Sequence, residues 1–168
     1  FPEVNVIRSR NVVLCAFNEA VRRSDADIAI LLNNDLKLDP GFVAPLLAAF
    51  DAHPDAFLAA PKAFTFDGRR YEGSLSKMFF RRGQFGAESR FDGHEARIDR
   101  SGFTMQAGFG AYRRDRFLEL GGFDDLYLPG TVEDSDLCFR AWKAGYACYY
   151  VPESRAWHKG QATFARTF

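Results

Sequence analysis

Short apolar runs alternate with amphipathic stretches through the first third of the chain. Residues 4–7 and 28–32 read as strands, and residues 12–21 between them supply a helix. The unbroken run Ile28-Ala29-Ile30-Leu31-Leu32 suits a strand covered on both faces, as in a parallel α/β sheet. Asp39 as N-cap and Pro40 as first helical residue open a helix with Phe42, Val43, Leu46, Leu47 and Phe50 at helical spacing. Pro45 must then sit in or near its first turn. Residues 57–61 read as a third strand. From residue 65 to about residue 100 the periodicity fails amid Gly, Arg and Phe, and a loop of that length in a compact domain is functional or mobile. Order returns at residues 103–112. A short helix over 113–120 is stopped by Gly121-Gly122, a longer one over 132–144 by Gly145, and a strand over 147–151 closes before Pro152. The expectation is an α/β fold with a mixed, mainly parallel sheet flanked by helices.

Composition narrows the class. The chain has 168 residues, enough for one core, so a single domain over 1–168 is expected. Apolar residues make up 47% and charged residues 26%, a globular balance that excludes intrinsic disorder. Lys+Arg and Asp+Glu both number 22, so no global field grips nucleic acid or an anionic membrane. Three widely spaced cysteines, Cys15, Cys138 and Cys148, make neither a disulfide framework nor a zinc ribbon and point to a reducing, cytoplasmic compartment. No run approaches a membrane span, which leaves peripheral association at the inner face of a membrane as the mode of any lipid contact. The chain opens on Phe1 directly into an apolar run. It reads as a fragment begun inside a fold, whose first strand would present an unpaired edge and invite self-association.

Locally the charge separates. Residues 76–116 hold nine Lys/Arg against five Asp/Glu, while residues 117–140 hold one Arg against six Asp/Glu. A basic flap beside an acidic cluster suits an anionic ligand held together with a cation; ordinary solvated faces would give the same counts. Asn33-Asn34-Asp35 follows the apolar run at the carboxyl end of its strand, the edge where open α/β sheets bind ligands. Asp35 there suits Mg²⁺ or Mn²⁺, and a simple turn is the competing reading. Glu133, Asp134 and Asp136 crowd the start of a helix, where carboxylates also serve as caps. In a regular helix Asp134 shares the apolar face of Leu137, Cys138 and Ala141, whereas Glu133 lines up with Asp136, Leu137 and Arg140. An inward carboxylate at a helix mouth is what a general base toward a hydroxyl needs. His53 precedes a proline, His94 lies in the irregular stretch, and His158 follows Trp157.

The segment Ile30 to Asp35, followed by Leu38, Pro40 and Gly41, resembles the metal-binding segment of family 2 glycosyltransferases of the GT-A fold, especially the rhamnosyltransferase-like branch. Gly110-Ala111-Tyr112-Arg113-Arg114, Gly121-Gly122-Phe123-Asp124, Glu133 to Arg140, Gly145-Tyr146, Val151-Pro152 and His158 match in the same order. The resemblance implies an inverting hexosyltransferase that moves a sugar from a nucleotide-diphosphate-sugar to a saccharide or lipid-linked saccharide, in polysaccharide or lipopolysaccharide synthesis. It implies that Asp35 and His158 hold Mn²⁺ or Mg²⁺ on the donor diphosphate, with Asn33 standing at the first position of the acidic motif and Asn34 between. It implies that Asp134 is the catalytic base, with Glu133 and Asp136 next in line. The family's N-terminal unit, which holds the donor's base and ribose, has no counterpart before Phe1. The alternative reading is a non-catalytic remnant that binds a glycan or a partner.

Overall fold

The structure is a computed structural model that describes residues 3–10, 12–88, 98–105, 108–130 and 132–159. Residues 4–7, expected as a strand, are irregular, with Val4 58% and Val6 78% exposed. Regular structure starts with a 3-10 turn, Val13–Cys15, leading into helix α1, Ala16–Arg23. Then come strands β1, Ile28–Leu31, and β2, Leu36–Leu38, helix α2, Val43–Ala52, and strand β3, Ala56–Thr65. Asp39 does not cap the helix directly. Its Oδ1 accepts from Gly41 N at 2.9 Å in a turn that precedes α2, and Pro45 falls at the third helical residue, where no hydrogen bond is lost.

The stretch read as irregular carries strands β4, Tyr71–Gly73, β5, Lys77–Arg81, and β6, Gln84–Glu88. β5 and β6 form a separate hairpin turned by Arg82 and Gly83 at φ 51° and 77°, the left-handed pair that a two-residue hairpin loop requires. The rest of that stretch, residues 89–97, lies outside the described residues. β7, Gly102–Thr104, β8, Gly110–Arg113, α3, Arg114–Glu119, α4, Glu133–Lys143, and β9, Ala147–His158, complete the order.

The sheet is mixed and flanked by helices, as expected, but its strands are mostly antiparallel. β3 and β9 are the one parallel pair among the described residues. They form a spine running the full height of the sheet. In its lower half β8 and then β1 add beside β3, and β7 beside β9. In its upper half β4 adds beside β3, and β2 beside β9. β9 passes straight through Pro152, where a strand end was expected. Its pairing with β3 jumps from Val151 to Arg155, so residues 152–154 bulge out and Pro152 has no ladder bond to break. The buried Ser154 in that bulge donates to Phe42 O at 2.7 Å, locking it onto the start of α2.

Both faces of the sheet are covered. Leu58, Tyr112 and Cys148 pack under Val21 of α1, Phe117 of α3, and Leu137, Cys138 and Ala141 of α4. On the other face Ala56, Ala59, Ala63, Ala111 and Ala156 make a shallow floor that lets Phe42, Leu46 and Phe50 of α2 sit close.

Candidate functional site

β1 and β2 lie at opposite sides of the spine, and only residues 32–35 connect them. Residues 32–35 therefore run from the end of β1, level with the middle of the spine, to the start of β2 at its upper end beside His158. Asn33 is half-buried, Asn34 exposed, and the Asp35 side chain is 18% exposed. β2 begins with Leu36 opposite His158, and Lys159 N donates to Asp35 O at 3.0 Å, so the pairing itself draws the two side chains together. His158 Nε2 stands 3.4 Å from Asp35 Oδ1, and Nδ1 stands 3.3 Å from Glu72 Oε1 on β4. The Phe109 ring tilts beside the imidazole, with centroids 5.9 Å apart.

Asp35 Oδ1 is buried and, among the described residues, lacks a hydrogen-bond partner. A buried carboxylate oxygen left so is costly unless a cation compensates it. One hard oxygen and one imidazole nitrogen, 3.4 Å apart, fit Mn²⁺ or Mg²⁺. No three His, Cys, Asp or Glu side chains among the described residues converge tightly enough to hold a metal alone, so a bound cation would need ligands from elsewhere.

The three carboxylates of the acidic cluster part company at the start of α4. Asp136 Oδ2 accepts from Arg140 Nε at 2.7 Å and Oδ1 accepts from the Tyr127 hydroxyl at 3.2 Å; Arg140 goes on to donate to Gly122 O at 2.8 Å and to Leu120 O. Asp136 thus belongs to a clamp that holds α4 to the loop after α3. Glu133, 5% exposed, is the most buried of the three, contrary to the helical-wheel expectation that placed Asp134 innermost. Burial first, and then the charge of Glu133, pushes the Cys15 thiol up, which places this carboxylate toward the start of α1.

Asp134 is half-buried and turns toward the start of β8. Its Oδ1 accepts from Ser135 N at 2.7 Å, and its Oδ2 lies 3.4 Å from where a Cβ on Gly108 would stand. Burial pushes the Tyr112 hydroxyl well up, with smaller pushes from Cys138 and from Asp134, which sets the Asp134 charge near Tyr112 of β8. A Cβ on Gly108 would lie against Asp134, and the ring of the next residue, Phe109, lies beside His158, so two consecutive residues link the two candidate centres. A cleft of about 440 Å³ opens between Cys15 and Asn18 on one side and residues 120–125 on the other, and none of Asp35, Glu72, Asp134 and His158 lines it.

The sequence reading did not pick out Glu72, because no residue pattern marks a lone Glu on a three-residue strand. Gly108 and Phe109 stand beside the matched motif at Gly110, and only the register of β8 gives them their role. Of the basic flap, Lys77 pairs with Glu88 at 3.5 Å across the hairpin, and Asp99 pairs with the buried Lys62 of β3. His94 and Thr131 lie outside the described residues, as do Arg90 and Arg97.

No curated protein sequence matches this chain. Among solved structures, the crystal structure of GalNAc-T7 with UDP, GalNAc and Mn2+ superposes with a TM-score of 0.68 at 18% identity, over 89% of this chain and 30% of that one. The chain therefore has the fold of that protein, the GT-A fold expected from the sequence, while spanning less than a third of its length. Residues 1–121 match the sequence family described as "Glycosyl transferase family 2". Together with the mixed sheet and its covered faces, that match assigns the chain to glycosyltransferase family 2.

Proposed function

We propose that this chain is the catalytic domain, or part of it, of a metal-dependent inverting glycosyltransferase that moves a sugar from a nucleotide-diphosphate-sugar to a saccharide hydroxyl. The observation that carries the reading is the buried Oδ1 of Asp35, which accepts no hydrogen bond from the described residues and stands 3.4 Å from His158 Nε2 at the sheet's end. Family membership and the fold shared with a protein crystallised with UDP and Mn2+ support it.

Asp35 and His158 would hold Mn²⁺ or Mg²⁺, with the donor's phosphates completing the shell. Such a cation supplies positive charge against the negative charge that builds on the departing diphosphate. Asp134 takes the proton of the acceptor hydroxyl as that oxygen attacks the anomeric carbon from the face opposite the diphosphate. The new glycosidic C–O bond forms as the bond to the diphosphate breaks, and the configuration inverts. Ser135 N–H donates to Oδ1 of Asp134, and Oδ2, beside Gly108, receives the proton. Glu133, buried toward α1, is next in line for the proton or for an acceptor hydroxyl, and Asp136 is held in its clamp. Asn33 and Asn34 flank the donor phosphates.

We assign the chain to the rhamnosyltransferase-like branch, and its product to polysaccharide or lipopolysaccharide type glycans, on the sequence resemblance alone. The free Cys15, Cys138 and Cys148 fit a cytoplasmic site of action. No helix among the described residues is long and apolar enough to cross a membrane, so any contact with its inner face would be peripheral.

The test is turnover by the full-length protein against a panel of nucleotide-sugars and saccharide acceptors, with and without chelator. Sugar transfer that chelator abolishes and Mn²⁺ restores is the expected result. Release of inorganic phosphate without transfer would replace this reading with a hydrolase. Binding of glycan with neither reaction would make the domain a non-catalytic remnant.

A further inference from the structure

The imidazole of His158 has two nitrogens, and the reading above employs one. If Nε2 faces a cation beside Asp35 Oδ1, Nε2 must be bare, and the ring's hydrogen sits on Nδ1. A ring left to itself does not hold that tautomer, nor does it keep its plane aimed at Asp35. Nδ1 stands 3.3 Å from Glu72 Oε1, on the side of the ring away from Asp35. Among the described residues His158 is the one basic group at ion-pair distance from Glu72.

The backbone around Glu72 is built to hold it there. β4 is joined to β3 through Ala63 opposite Gly73 and Phe64 opposite Tyr71, with a register irregularity at Glu72's level. The turn that leads into it is closed by Thr65 N donating to Arg70 O at 2.9 Å and by the Thr65 hydroxyl donating to Asp67 Oδ1 at 2.6 Å. Thr65 itself pairs with His158 across the spine. Gly68 of that turn, at φ 72°, lies against Trp157, the residue before His158. The chain that carries Glu72 and the chain that carries His158 are thus fastened at two neighbouring points. The side chains of Asp35, His158 and Glu72 are 18%, 23% and 31% exposed, so the row is largely withdrawn from water.

We propose that Glu72 is the positioning residue of this site: its carboxylate accepts the Nδ1 hydrogen of His158, fixing the tautomer and the ring orientation that present Nε2 beside Asp35. The inference rests on the metal reading of Asp35 and His158 and adds a carboxylate behind the histidine. Such outer carboxylates orient a ligand imidazole and raise its basicity, and losing one weakens metal affinity by about 10- to 100-fold. Glu72 is not itself a ligand in this account, since it faces the other nitrogen.

The experiment is calorimetry of Mn²⁺ with the full-length protein and a nucleoside diphosphate, comparing wild type, Glu72→Ala and Glu72→Gln, with thermal melts on all three. Glu72→Ala should lose about 10- to 100-fold in affinity without a matching loss of melting temperature. Glu72→Gln, whose amide oxygen still accepts from Nδ1, should recover most of it. Nitrogen-15 shifts of His158 in the diamagnetic Mg²⁺ complex should report the Nδ1–H tautomer in wild type and in Glu72→Gln. Wild-type affinity in Glu72→Ala, or an Nε2–H ring in the wild-type complex, overturns the proposal while Asp35 and His158 stand. A wild-type protein that binds no Mn²⁺ overturns the metal reading and this inference with it.

Discussion

Asp134, Glu133 and Asp136 are neighbours in sequence, yet each has a different environment, and substitution separates them. Asp134→Asn keeps the acceptor oxygen for Ser135 N, so the helix start should survive while the proton acceptor is lost. Turnover in the full-length protein should fall by a factor on the order of 100 to 10,000 with metal binding unchanged. Asp136→Asn should do the reverse, costing about 1 to 3 kcal/mol in a denaturant melt as the Arg140 clamp weakens, with turnover retained by the folded fraction. Full turnover in Asp134→Asn would move the base to Glu133 or elsewhere. The crowding of three carboxylates at a helix start is plain from the sequence, but their directions are not. A helical wheel treats burial as lying to one side, whereas the end of α4 is also covered at its tip, which buries Glu133.

At the scale of elements, the apolar run of β1 reported that its two faces are packed but not its strand direction, and the run over residues 4–7 reported neither. The run over β1 was read as a parallel strand because it is apolar on both faces, and both faces are indeed packed: Ile28 and Ile30 toward α2, Ala29 and Leu31 toward the other core. Nevertheless β1 pairs antiparallel, among the described residues with β8 alone, since packing on both faces creates the same apolar pattern whatever the hydrogen-bond partner. The Gly121-Gly122 stop was legible, and the structure divides its labour. Both residues have positive φ, 80° and 72°, but a Cβ on Gly121 meets open space, while on Gly122 it meets Asn18 Oδ1 and a Phe117 ring carbon at 2.8 Å. Asn18 is also the strap between α1 and this loop, donating to Phe123 O at 2.8 Å and accepting from Phe123 N at 2.9 Å. Gly121→Ala should therefore cost about 1 to 2 kcal/mol, from backbone conformation alone. Gly122→Ala should cost about 1 to 3 kcal/mol more, from overlap. Equal losses in denaturant melts would show that the Asn18 strap yields freely.

Over the whole molecule, the β3–β9 spine explains how residues far apart in sequence become one site. Asp35 arrives on the crossing between β1 and β2, Glu72 on β4 and His158 at the end of β9, at the spine's upper end, and the ring of Phe109 reaches the imidazole from just before β8. Asp35 and His158 stood out as candidates because the order of motifs is family-like. Glu72 was not, because its role depends on strand pairing rather than on neighbours in sequence. The expected edge strand over residues 4–7 is irregular, so the self-association argued from it loses its basis in this structure. The central claim is that Asp35 and His158 form a half-built metal site which a nucleoside diphosphate completes. The direct measurement is calorimetry of Mn²⁺ with the full-length protein, with and without nucleoside diphosphate, on wild type, Asp35→Ala and His158→Ala. The account predicts weak binding that tightens at least about tenfold when the diphosphate is present, and loss of that binding in both variants. Wild-type affinity in both variants would contradict it.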